Sequence, residues 1–305
     1  MPKNKILYFG NEQLAQGIKA KACPIFSALL DAGYELVGLI LPTEHTRKPF
    51  PIAKIATTHN VPIFYTKDTA EIMDIIAQTQ PEIGVLSAYS KLIPDKIIDA
   101  IPHGIINIHP SKLPQYRGTT PIESALLNGD AEASVSVMRL VKAMDAGPVY
   151  GQASVPIHWN YEGKTEQDQQ QTTKQMLYEA LAEQGAKLIL ETLPAILDQN
   201  APGEPQNDAE ATFTAKLDKS LTELQPSAKT AQELVREVVA FAGFPKSKLT
   251  LHGKSCTITA AHVAKTEQTE LDQLCADGNY LIIDQLIPEN SKPMDAKSFL
   301  NGFNK

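Results

Sequence analysis

From Lys5 to about position 110 the chain repeats one pattern: a short, almost wholly apolar run, then a longer segment with helical spacing. The runs are KILYFG, ending at Gly10, then YELVGLIL, VPIFY, EIGVLSAY and GIINIHP. Between them lie PIFSALLDAG, with Gly33 placed as a cap, IAKIATTHN, TAEIMDIIAQTQ and the short PDKIIDAI. Apolar runs of this kind, with no polar alternation, read as strands covered on both faces. Strands that alternate with helices make a parallel sheet with crossover connections. An α/β N-terminal domain is expected. Ligands of such sheets bind beyond the carboxyl ends of the strands. Asn107, His109 and the SAYS turn, Ser87 to Ser90, lie at such ends.

The pattern then changes. ASVSVMRLV and GQASVPI alternate with period two and read as an antiparallel pair. TTKQMLYEALAEQGAKLILETLPAIL reads as a helix that Pro194 bends or breaks near its end. DQNAPGEPQNDAEATF, rich in Gly, Pro and small polar residues, has the composition of a linker. Beyond it, SAKTAQELVREVVAFAG reads as an amphipathic helix, and KLTLHGKSCTITAAHVA and NYLIIDQLI as short strands around turns. The expected organisation is a catalytic domain over 1–199, a linker over 200–210 and a smaller β-rich domain over 211–305.

Composition narrows the class. The net charge of −7 speaks against a chain that coats nucleic acid along its whole surface, while leaving room for a local basic face. Cys23, Cys256 and Cys275 are scattered and odd in number, which supports neither a disulfide framework nor a metal cluster and fits a reducing cytoplasm. No metal is expected. The apolar stretches are too short for a signal peptide or a membrane span, so a membrane partner is not expected. No G-x-G-x-x-G follows the first strand, which removes the main signal for a dinucleotide oxidoreductase.

Asn107 and His109 stand two residues apart, so on a strand their side chains share one side. One offers an amide N–H, the other an imidazole that exchanges a proton near neutral pH. SKLP turns the chain straight afterwards. A helix is expected to start near Pro121, with Thr119 or Thr120 as its cap. Asp145, in VKAMDAGPVYGQ, lies between an apolar run and a Gly-Pro turn. Each of these residues has an ordinary structural reading: a buried polar pair at a strand end, a turn aspartate. The three together are the parts of an acyl-transfer site, with a carboxylate beside an imidazole and an amide donor for a developing oxyanion.

NIHPSKLPQYRGTTPIESALLNGD followed by MDAGPV resembles the formyltransferase family that uses 10-formyltetrahydrofolate. EATFTAKLDKS, FPKSKLTLHGK and the ending KPMDAKSFLNGF resemble the branch of it that acts on methionyl-tRNA. The resemblance implies a Rossmann-like N-terminal domain and an OB-like C-terminal one. It implies Asn107, His109 and Asp145 as the catalytic trio, with folate against Ser111, Lys112, Leu113 and Pro114. Ser87, Ala88, Tyr89 and Ser90 would wall the pocket. It also implies methionyl-initiator tRNA as acceptor, a role in translation initiation, and a cytoplasmic protein, expected as a monomer.

The chain departs from the family in three places. Lys112 stands where Leu is common, and could reach the folate glutamate tail or point to solvent. Gly10-Asn11-Glu12 replaces the usual Gly-Thr-Pro. The loop after the second strand is only PTEHTRKPFP, with Arg47 and Lys48, where tRNA enzymes usually carry a long basic insertion. From Lys216 to Lys265 eight Lys or Arg face four Asp or Glu. Arg47, Lys48, Lys246, Lys248 and Lys254 are therefore the candidate phosphate contacts. Two other functions remain open on the residues: formyl transfer to a small amine, such as a sugar nucleotide or a purine precursor, and RNA binding without catalysis.

Overall fold

The structure, a computed structural model, describes residues 4–18, 22–43, 50–163 and 171–302. Five parallel strands, β1 (Lys5–Phe9), β2 (Glu35–Pro42), β3 (Ile63–Thr66), β4 (Ile83–Leu86) and β5 (Ile105–His109), are continued by antiparallel β6 (Glu132–Arg139) and β7 (Val149–Pro156). Their order is β3-β2-β1-β4-β5-β6-β7. The inner parallel strands β1, β4 and β5 are covered on both faces, which is why their runs are nearly all apolar, while β7 at the edge is largely half-exposed. Ile6 and Tyr8 of β1 pack with α1 (Pro24–Asp31), α2 (Pro51–Thr58), α5 (Pro121–Asn128) and α6 (Lys174–Leu197). Leu7 and Phe9, the alternate residues, pack with α3 (Thr69–Thr79) and α4 (Asp95–Ile98).

The strand order reverses between β1 and β4, where a crevice opens beyond the strand ends. There the two backbones nearly touch. Gly10 has φ +108°, and a Cβ on it would lie 2.0 Å from the Ser87 carbonyl oxygen, so only glycine fits.

The C-terminal unit is an antiparallel half-barrel of β8 (Ser247–Leu251), β9 (Lys254–Ala264), β10 (Gln273–Leu274), β11 (Tyr280–Pro288) and β12 (Met294–Asp295). Leu234, Val235 and Val238 of α7 (Ala231–Ala240) fill its inner face. A short helix, α8 (Ala296–Asn301), closes the chain; the sequence patterns did not point to it. Thr230 and Glu233 cap α7 reciprocally. The two units meet through α5 and α7. Lys174, fully buried, pairs with Glu123 of α5 at 3.0 Å and donates to the Ala240 carbonyl at 2.9 Å. The Glu123 carboxylate also accepts from the Gln16 N–H at 2.8 Å.

α5 starts at Pro121 with Thr120 at its cap position, as expected, but the Thr120 hydroxyl donates to the Ala215 carbonyl at 2.7 Å and makes no capping bond. The segment read as a linker is tied to the first unit. Glu204 and Val149 exchange backbone hydrogen bonds at 2.8 Å, and Arg117 and Thr214 lie across the segment's end. A strap expected to be loose runs over the mouth of the sheet because its polar residues satisfy loop groups there.

Candidate active site

At the crevice lies a cavity of about 670 Å³ whose lining includes Asn107, His109 and Asp145. The first two project from β5, whose every residue is buried. Asp145 sits in the turn joining β6 to β7, in the left-handed conformation (φ +48°). The strand spacing thus placed two of the trio, and the sheet topology delivered the third.

Each side chain is aimed from outside itself. His109 Nε2 lies 3.1 Å from the Tyr116 carbonyl. A carbonyl only accepts, so Nε2 carries the hydrogen, and Nδ1 faces the Asp145 carboxylate at 3.8 Å. The same carboxylate oxygen is held by a second group: Asp145 Oδ2 accepts from the Gly118 N–H at 2.8 Å. Gly118 has φ +121°, and a Cβ there would lie 2.4 Å from the Thr214 hydroxyl, so only glycine presents that N–H so close to the strap. Tyr116 is itself held. Its N–H donates to the Thr212 hydroxyl at 2.8 Å and its own hydroxyl to Asp130 at 2.7 Å. Asn107 has no side-chain hydrogen-bond partner among the described residues, which leaves its amide available to the cavity.

Of the expected folate contacts, Ala88, Tyr89 and Ser90 line this cavity, and Tyr89 is anchored edge-on against Phe9. Ser87 is fully buried behind the wall. The structure does not bring Ser111, Lys112, Leu113 and Pro114 to the cavity of the trio. Ser111 and Lys112 line a separate hollow of about 270 Å³. Lys112 points to Glu132, 3.5 Å away on the surface. Ser111 and Leu113 are buried, and the turn is pinned to β6 and β7: Ser136 donates to the Ser111 carbonyl at 2.6 Å, and Gln152 to that of Leu113 at 2.9 Å. These residues hold the loop that carries His109 and Tyr116.

Other lining residues were not proposed as site residues from the sequence: Leu140, Val141, Lys142 and Met144 before Asp145, Lys91 to Ile93 after the SAYS turn, and Asn11 and Gln13 to Gln16 in the loop after β1. All lie beyond strand ends, the signal that could have found them. In the last of these, Glu12 replaces the family's usual residue type and is buried. Its carboxylate accepts from the N–H groups of Phe26 at 2.7 Å and Ile25 at 3.2 Å, and from the Tyr8 hydroxyl at 2.9 Å. It serves as the missing cap of α1, whose own cap position, Cys23, offers no side-chain bond. Burial outweighs these donors and raises its pKa to about 7.

The tRNA candidates are dispersed. Arg47 and Lys48 lie outside the described residues. Lys246 stands before β8, Lys248 is half-buried on it, and Lys254 begins β9 beyond the hairpin turn. A five-residue strand spans about 16 Å, and Lys254 pairs with Leu251 on the face opposite to that of Lys248, so these lysines are spread along the hairpin and do not form one cluster. Among the described residues no group of three His, Cys, Asp or Glu is placed to hold a metal, and no helix is long and apolar enough to cross a membrane.

Residues 46–192 match the family described as formyl transferase, and residues 216–304 its C-terminal domain. A methionyl-tRNA formyltransferase of Methylobacillus flagellatus is 33% identical, covering 98% of this chain and 96% of its own. One from Latilactobacillus sakei is 30% identical over 92% and 91%. The N-formyltransferase of Helicobacter canadensis, solved with folinic acid and dTDP-3-aminofucose, superposes with a TM-score of 0.68 at 14% identity, covering 92% of this chain and 98% of that one. This last likeness is one of fold.

Proposed function

The chain belongs to the formyltransferase family, and we propose that it moves the formyl group of 10-formyltetrahydrofolate onto the amino group of methionyl-initiator tRNA. One observation carries the reading: Asn107, His109 and Asp145 meet in a single cavity beyond the strand ends, in a chain whose near-full-length relatives are methionyl-tRNA formyltransferases.

The cavity suits folate in size and lining. Leu86, Leu92, Ile93, Leu140, Val141 and Met144 offer apolar surface to flat rings, and the Asn107 amide and His109 mark where a polar reacting group belongs. When bound, 10-formyltetrahydrofolate supplies an activated formyl carbon. Asn107 donates to the formyl oxygen as it gains negative charge during attack by the amine. His109, with Nε2–H fixed on the Tyr116 carbonyl, offers Nδ1 as the mobile proton position. Asp145 faces Nδ1 and takes up the proton that the attacking amine loses; as the bond from the formyl carbon to folate N10 breaks, that proton passes to N10 and tetrahydrofolate leaves. The 3.8 Å separation closes on substrate binding, as catalytic contacts commonly do. Lys246, Lys248 and Lys254 lie where a polyanion could be held, and the short Arg47–Lys48 loop adds what basic charge it has.

The reading is tested by offering labelled 10-formyltetrahydrofolate with methionyl-initiator tRNA and, separately, with an amino-sugar nucleotide. Label is expected on the methionyl amine. Efficient formylation of the sugar with none on tRNA would replace the acceptor. No transfer to either by the folded protein would remove the enzymatic reading.

A further inference from the structure

Asp145 occupies the left-handed backbone region (φ +48°), which is strained for a non-glycine residue and is kept where the surroundings hold it. The holding group comes from a distant part of the chain. Gln206, in the strap between the two units, donates through Nε2 to the Asp145 carbonyl at 2.8 Å and to the Gly147 carbonyl at 2.7 Å. Its Oε1 accepts from Arg117 Nε at 3.1 Å and Nη2 at 2.8 Å. Both hydrogens and both lone pairs of one amide are used. Arg117, itself buried, is fixed further by Asp208 at 2.7 Å, and the residue after it, Gly118, supplies the N–H that holds the Asp145 carboxylate. The strap grips the other ends of both loops as well. Arg117 donates to the Thr212 carbonyl at 2.9 Å, Thr214 to that of Arg117 at 2.8 Å, and Glu204 pairs with Val149 just past the Asp145 turn.

We propose that Gln206 is a positioning residue for the reaction: its side-chain amide locks the Asp145 turn to the Arg117–Gly118 loop and so sets the distance from the Asp145 carboxylate to His109. Glutamate has the same shape but no donors, and would set a carboxylate against two carbonyls. Alanine leaves both carbonyls open. Either change frees Asp145 to relax, and a displacement of about 1 Å at a reacting group costs on the order of 100-fold in rate.

The inference rests on Asp145 being catalytic, and the experiment separates the two. Gln206→Ala and Gln206→Glu are made in the wild-type and in the Asp145→Asn background. Folate affinity, single-turnover formylation of methionyl-tRNA and thermal midpoint are measured. In the wild-type background the rate is expected to fall about 10- to 100-fold, with folate affinity unchanged within twofold. In the Asp145→Asn background the same changes should cost less than about threefold, because residues acting as a unit are not additive. Equal losses in both backgrounds, or none in the wild type, overturn the positioning role. A fully active Asp145→Asn protein overturns the catalytic reading instead. Gln206→Ala introduces no charge and keeps the test readable if Gln206→Glu does not fold.

Discussion

The two walls of the cavity are built on different principles. The wall carrying His109, Tyr116, Gly118 and Asp145 is held by hydrogen bonds from segments far away in sequence: Thr212 and Gln206 of the strap, Ser136 of β6 and Gln152 of β7. Another part of the lining, from Tyr89 to Ile93 and Leu140 to Met144, includes apolar side chains open to solvent. Leu92 is 85% exposed and Met144 58%. The first wall is braced from several directions by hydrogen bonds, as the positioning needed for proton transfer and oxyanion stabilisation requires. The second keeps apolar surface ready to be covered, which binding a flat aromatic group requires. We propose that chemistry belongs to the first and affinity to the second.

The largest effect should come from the held wall. His109→Ala and Asp145→Asn are each expected to reduce turnover at least about 100-fold, the scale of general acid–base loss. Steady-state kinetics on proteins with unchanged thermal midpoints checks this; turnover within a few-fold of wild type refutes the assignment.

A third piece of lining, the Asn11–Gln16 loop, follows the logic of the held wall, and its anchor titrates. Glu12 moves from an ordinary 4.5 to about 7 because burial disfavours its charged form. Its folded value lies above the unfolded one, so the folded protein binds this proton more tightly. Stability from this group is fully present at low pH and is lost as pH rises through about 4.5 to 7, by about 3 kcal/mol. Urea unfolding at pH 5 and pH 8 should show that loss in the wild type and not in Glu12→Gln. Equal pH dependence in both would mean that the carboxyl is not the buried anchor.

On the open wall the effect should be smaller and of another kind. Leu92→Ser with Met144→Ser removes apolar surface that folate would cover, and about a tenfold rise in folate KM with kcat nearly unchanged is expected. An unaltered KM would place the folate elsewhere. Smallest is the effect of the hairpin lysines. With Lys246, Lys248 and Lys254 changed to Ala, the fall of kcat/KM for methionyl-tRNA with salt should become shallower. An unchanged slope removes them from the tRNA surface.

The difference between the walls also explains what the sequence disclosed. The parallel sheet was legible because fully covered strands leave continuous apolar runs. Asn107 and His109 were legible as partners because period two fixes their common side. The supports were not. Gln206, Thr212 and Thr214 lie in a stretch whose Pro, Gly and polar residues are equally the composition of a free linker, and only contacts over roughly 60 to 95 residues of separation distinguish a strap from it. Glu12 read as a departure from a motif; its use as a helix cap depends on α1 arriving beside it. SKLP sits in the motif that carries the family resemblance, which implies its contact with folate; what the sequence did not disclose is that the turn is pinned from behind by Ser136 and Gln152.

The division between the walls is tested most directly by measuring folate affinity and single-turnover formylation of methionyl-tRNA on two proteins, His109→Ala and Leu92→Ser/Met144→Ser. The account predicts a crossed result: the first keeps wild-type folate affinity and loses at least about 100-fold in rate, while the second loses about tenfold in affinity and keeps its rate at saturation. Affinity and rate falling together in both proteins would contradict it.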